Sequence, residues 1–256
     1  MAIATQSILY LEPIGGIAGD MFLAAMIDLG VSKETLESKL RSLGLEGWRL
    51  DVDRQLRHSI VGTHVDVATG DYHTRDNRSH EHRGFRDIEQ LIAASGLSTA
   101  VKEKAIAVFR NLGEAEAHVH GTSLEAIHFH EVGAVDSIVD ICGAVVALEL
   151  LGWPEVVTLP PPLGSGTVRI AHGVVPVPVP ATIQLLKDRP VRFEGQGELT
   201  TPTGAALLKT LARFGAPPEM VVEKIGYGVG TKDFADRANV LRASLGRPTA
   251  APEAEL

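Results

Sequence analysis

Thiols are nearly missing from this sequence: Cys142 is the only cysteine in 256 residues. That excludes an internal disulfide framework and any metal site built from several thiolates, and it fits a reducing compartment. Basic charge is also scarce. With 24 Lys+Arg against 32 Asp+Glu and a formal net charge of -8, the chain has no footprint for a polyphosphate backbone, so no nucleic-acid partner is expected. No apolar run approaches the ~20 residues needed to cross a bilayer. The N-terminus has no basic segment followed by an apolar stretch and a cleavage site, so a membrane partner is not expected and the cytoplasm is the default location.

What is present suits a folded globule. Hydrophobic residues make up 45% and charged residues 22% of the chain, enough for one large domain or two close lobes. Residues 8–11 read as a buried strand, and the turn at 15–20 leads into a helix over 21–29 that Gly30 closes. Ser32 caps a second helix over 33–43, which Gly44 ends. Residues 50–67 alternate as strand, with Val61, Thr63, Val65 and Val67 on one face and Gly62, His64 and Asp66 on the other; His64 is expected to face solvent. Residues 70–84, rich in His and Arg and poor in apolar side chains, read as a mobile surface loop.

From Thr99 the apolar positions Val101, Ala105, Val108, Leu112, Ala115 and Val119 step by three and four, predicting a helix of about five turns that Gly121 terminates. Thr122 and Glu125 have capping-box spacing. Gly133 restarts a helix through Leu151 in which Asp136 and Asp140 stand one above the other while Cys142 sits among apolar side chains as core. Beyond Pro154 the texture turns to strand and turn: a strand over 156–159, a Pro/Gly loop over 160–166, an extended Val-Pro run over 174–180, helices over 181–187 and 205–214, and strands over 221–225 and 239–245. The interleaving predicts an α/β fold, with α+β as the alternative: a mixed sheet with helices packed on it.

The chemistry concentrates in residues 118–140. His118, His120, His128 and His130 place four imidazoles within thirteen residues, followed by Glu131, Asp136 and Asp140. Nitrogen and oxygen donors of this kind suit nickel, zinc, iron or manganese. On extended backbone His128 and His130 face one side, whereas on a helix they diverge. Neither the H-E-x-x-H helix nor a C-x-x-C set is present. A base with a near-neutral pKa could come from Asp136, Asp140 or His128. Three glycine turns could dock phosphate through free helix-start amides: Gly16 and Gly19 with Asp20, Gly164–Ser165–Gly166, and Thr203–Gly204. Residues 226–231 form a fourth, read as backbone contact with a ligand or a hairpin.

These motifs together resemble the LarC nickel-insertion proteins. The resemblance rests on residues 16–21, 119–122, 128–140, 162–166, 171–173, 201–205 and 224–228, and it extends over 7–246, leaving 247–256 as a disordered tail. It implies a CTP-dependent nickel insertase, or cyclometallase, of the lyase class. Its substrate would be pyridinium-3,5-bisthiocarboxylic acid mononucleotide, its product the nickel-pincer nucleotide cofactor of lactate racemase. The metal set would then be His120, His128, His130, Glu131 and Asp136. Only the N-terminal part of such a protein is matched, so CTP and its divalent metal are expected on a separate C-terminal module. The other expected partners are the racemase that accepts the cofactor and further copies of the chain. The alternatives are a nickel-binding metallochaperone or storage protein without turnover and, third, a metal-dependent hydrolase.

Overall fold

Seven strands form one mixed sheet in the order β2-β3-β10-β11-β1-β4-β9, in a computed structural model that describes residues 6–69, 83–127, 129, 134–170, 173–217 and 219–249. The strands of this sheet are β1 (Ile8–Pro13), β2 (Trp48–Arg57), β3 (Ile60–Thr69), β4 (Glu155–Thr158), β9 (Ala212–Phe214), β10 (Met220–Val229) and β11 (Val240–Pro248). Two short ribbons join β5 (Gly164–Ser165) to β8 (Gly197–Glu198) and β6 (Thr167–Ile170) to β7 (Gly173–Pro176). The helices are α1 (Gly19–Asp28), α2 (Lys33–Leu40), α3 (Phe85–Ala94), α4 (Thr99–His120), α5 (Val135–Leu150), α6 (Pro180–Leu185) and α7 (Pro202–Leu211). The fold is α/β, as the alternation of elements predicts. Among the described residues no helix is long and apolar enough to cross a membrane.

Helix α1 lies directly on β3, β10 and β11, and two glycines let it come that close. A Cβ on Gly228 would stand 1.9 Å from the Met21 carbonyl oxygen, and one on Gly226 2.6 Å from that of Ala25. Helix α5 packs behind α1 and α2. Its residues 141–148 are all buried, as befits a helix apolar on every face. Helix α4 crosses α3, α5, α6 and α7.

Several sequence expectations change in detail. The run over 50–67 is a hairpin of two strands, broken at His58, whose φ of 53° makes the turn. Residues 226–229 belong to β10 rather than to a loop, because α1 occupies the space above their glycines. Pro202 starts α7 three residues early, and residues 212–214 leave the helix to pair with the free edge of β4. The turn after α4 closes on the Ser123 carbonyl, which accepts from the amides of Ala126 and Ile127. Helix α3, with Phe85, Ile88 and Ile92 buried, follows directly on the His/Arg segment, of which 70–82 lie outside the described residues. Strand β11 continues to Pro248 because Met220 pairs with it; residues 250–256 are not among those described.

Candidate functional site

Three helix starts meet at one place. An isolated parallel bridge, Ile17 to Thr200, lays the turn before α1 alongside the segment before α7. The approach is tight: a Cβ on Gly16, whose φ is 110°, would lie 1.8 Å from the Leu199 carbonyl oxygen, and one on Gly204 2.3 Å from that of Ile17. The Gly19 amide donates to Thr203 Oγ1 at 3.3 Å, and the same glycine faces α5, where its Cβ would meet Asp140 Oδ2 at 3.1 Å. Gly16, Gly19 and Gly204 thus serve close packing of backbone on neighbouring chain.

The junction opens into a cavity of about 300 Å³ whose lining includes Asp20, Asp66, Asp136 and Asp140. Asp20 comes from the first turn of α1, Asp136 and Asp140 from successive turns of α5, and Asp66 from β3 where it diverges from β10 beyond the Gly228–Thr63 pair. Glu198, Thr201, Thr231, Lys232 and Asn239 also line it.

At each helix start a side chain of the protein itself engages one amide. Asp20 Oδ1 accepts from the Met21 amide at 2.7 Å, Asp136 Oδ1 from the Ser137 amide at 2.7 Å, and Thr201 Oγ1 from the Gly204 amide at 3.2 Å. The positive ends of the dipoles therefore hold the protein's own acids and hydroxyls. What remains toward the cavity is predominantly carboxylate.

Asp140 is the least compensated of the four. Its Oδ1 is buried with no hydrogen-bond partner among the described residues, a costly condition for a polar atom. Burial, then the charges of Asp20, Asp136 and Asp66, push its carboxyl well above the ordinary range. Burial also raises Asp20, although the Met21 amide and His64 pull the other way.

Of the other residues singled out in the sequence, His120 sits on the last turn of α4, 3.6 Å from Glu116, and does not line the cavity. Gly164–Ser165–Gly166 is engaged elsewhere: β5 pairs with β8, and Ser165 Oγ donates to the Gly195 carbonyl at 2.7 Å. His128, His130 and Glu131 lie outside the described residues. Among those described, no three His, Cys, Asp or Glu side chains form a group that could hold a metal ion. His64, expected in solvent, has a side chain only 12% exposed, because Asp53 and Thr231, each 3.2 Å from a ring nitrogen, cover it.

Asp66, Glu198, Lys232 and Asn239 were not among the sequence candidates. Asp66 reads there as one more polar residue on an alternating strand, and the other three carry no local motif.

Cys142 is buried, and burial lifts its thiol to about 12. It should stay unmodified by Ellman's reagent at pH 8 in the native protein and react in full after denaturation, since only the thiolate attacks. Rapid native labelling would contradict its place inside α5.

Residues 9–256 match the family model described as nickel insertion protein. Curated relatives named as candidate nickel insertion proteins include one from Myxococcus xanthus (strain DK1622), 66% identical over 94% of this chain and 61% of its own length. Another is from Pelobacter propionicus (strain DSM 2379 / NBRC 103807 / OttBd1), 48% identical over 95% of this chain and 61% of its own. A third, from Dictyoglomus thermophilum (strain ATCC 35947 / DSM 3960 / H-6-12), is 42% identical over 93% and 60%. The chain thus spans about 60% of the length of these relatives. No solved structure matches it.

Proposed function

Because the chain belongs to the nickel insertion protein family, we propose that its acid-lined cavity is where nickel enters an organic cofactor precursor. The observation that carries this reading is the convergence of Asp20, Asp66, Asp136 and Asp140 on one cavity. The precursor is pyridinium-3,5-bisthiocarboxylic acid mononucleotide, as the motif resemblance implies, and CTP with its divalent metal acts on a separate module. The product is the nickel-pincer cofactor of a lactate racemase, made in the cytoplasm.

Nickel is the cargo. Oxygen ligands are weak competitors for it against two thiocarboxylate sulfurs, so an aspartate-lined cavity with His128, His130 and Glu131 adjacent in sequence can pass the ion on. Insertion forms two nickel–sulfur bonds and one bond from nickel to a ring carbon, and that carbon must lose its proton. Asp140 is the best-placed acceptor: Asp136 lies nearer solvent and already accepts from Ser137, while Asp140 keeps a buried oxygen unpaired. The two positive charges of nickel favour the ionised carboxylate. Once ionised, the buried Asp140 oxygen, with no other hydrogen-bond partner among the described residues, is free to accept the ring proton.

The test is reconstitution of the chain with nickel, CTP, the precursor and a separately expressed C-terminal module from a full-length relative, followed by mass spectrometry of the nucleotide. The expected result is a product heavier by one nickel, less the protons released. Stoichiometric nickel binding without product would instead support a metallochaperone. Hydrolysis of an added ester or amide, abolished by changing His128 and His130 to alanine, would support the hydrolase.

A further inference from the structure

Lys232 and Thr231 are exposed whereas an Asp140 oxygen is buried, so the cavity has a solvent-facing end and an inner end, and this sets a direction for the ligand. Among the described lining residues Lys232 is the only Lys or Arg. Its Nζ is 3.1 Å from Glu198 Oε2, and its carbonyl accepts from Asn239 Nδ2 at 2.8 Å. Arg57 donates to the carbonyls of Gly230 at 3.1 Å and Thr231 at 3.2 Å. The loop that presents Lys232 and Thr231 is therefore held from both sides.

The inner end is unsuited to a phosphate. Its aspartates repel a dianion, and at the starts of α1 and α5 an aspartate of the first turn already stands on the next residue's amide, while Thr201 caps α7. Yet the inner end still calls for a polar ligand, because Asp140 Oδ1 is buried there without a hydrogen-bond partner among the described residues. Lys232 and Thr231 Oγ1, the latter also 3.2 Å from His64 Nε2, are the cation and hydroxyl that a phosphate needs.

We infer that, with Ni2+ among Asp20, Asp136 and Asp140 to offset the two thiocarboxylates, the mononucleotide enters with its pyridinium ring toward these aspartates, and that its phosphate stays at the solvent-facing end on Lys232 and Thr231. Glu198 is then exchanged for phosphate as the partner of Lys232. This assignment rests on the substrate proposed above, and it makes Lys232 the residue that distinguishes the mononucleotide from the nucleoside.

The experiment is isothermal titration of the full chain, with equimolar Ni2+, against the pyridinium mononucleotide and against the same compound after phosphatase treatment. The wild type should bind the mononucleotide at least ~10-fold tighter, a charge-assisted phosphate contact. Lys232→Ala should collapse that ratio toward one while leaving the affinity for the nucleoside unchanged, and Lys232→Arg should restore most of it. A ratio that survives in Lys232→Ala would place the phosphate elsewhere and overturn the inference alone. Equal loss for both ligands would overturn it too, since Lys232 would then act on the fold or the ring. If the wild type binds neither compound, the substrate reading itself falls.

Discussion

Asp140→Asn is expected to abolish nickel insertion and, at the same time, to stabilise the protein against heat. Loss of a positioned base costs about 10²- to 10⁴-fold in rate, and the amide cannot accept the ring proton. The stability effect runs the other way because the native site works against the ionised carboxyl. Burial comes first, then the charges of Asp20 on α1, Asp136 on the same helix and Asp66 on β3. With the folded pKa above the unfolded one, the contribution of Asp140 to stability is full below the unfolded carboxyl value of ~3.9 and is lost as pH rises through the folded pKa. Wild type and Asp140→Asn should therefore have similar melting temperatures near pH 4 and separate upward. The variant should gain a few degrees at pH 8, at about 2–4 °C per kcal/mol for a chain of this size. Calorimetry from pH 4 to 8, beside the reconstituted insertion assay, checks both halves. Equal stability at pH 8 would mean that Asp140 has a hydrogen-bonding partner after all, and unchanged turnover would remove it as the base.

That pairing of inactivity with stability is what a functional acid should show, since sites are held in arrangements a stability optimum would not choose. The sequence makes part of this visible. Asp136 and Asp140 have helical spacing in an apolar segment, and both line the cavity. The caps at Ser32, Gly44 and Gly121 are local signals, and each stands where the sequence places it. Asp66 and Lys232 are invisible in the same reading because distant pairing delivers them: Gly228 on β10 meets Thr63 on β3, and nothing within either strand announces that contact. The glycine turns were legible as special but not as to purpose. A glycine at a phosphate loop and a glycine under a crossing backbone look alike in sequence, and only the register of Ile17 with Thr200 shows that Gly16 and Gly204 meet other backbone.

The clearest case of that second kind is Gly228, and Gly228→Ala is expected to be the most destabilising single-methyl change in the described sheet. The added Cβ would lie 1.9 Å from the Met21 carbonyl oxygen and 2.8 Å from the Ala25 amide nitrogen. Neither atom can yield without moving α1 bodily. A side chain can rotate away from an intruding methyl, but a helix seated on three strands cannot, so the cost should exceed the ~1–3 kcal/mol usual for overpacking. Gly166→Ala supplies the contrast. There the φ of 94° strains any side chain, but nothing lies within 4 Å of the new Cβ, and the cost should stay near ~1–2 kcal/mol. Urea melts of the two variants measure the difference directly, and similar midpoints would show that α1 does not rest on β10 as described. The lesion should also reach the site, because lifting α1 displaces Asp20 from the cavity wall. A folded remnant of Gly228→Ala should therefore bind nickel and nucleotide more weakly than Gly166→Ala at equal concentrations of native protein, and the loss should track the movement of α1 rather than the chemistry of a residue 208 positions from Asp20 in the chain.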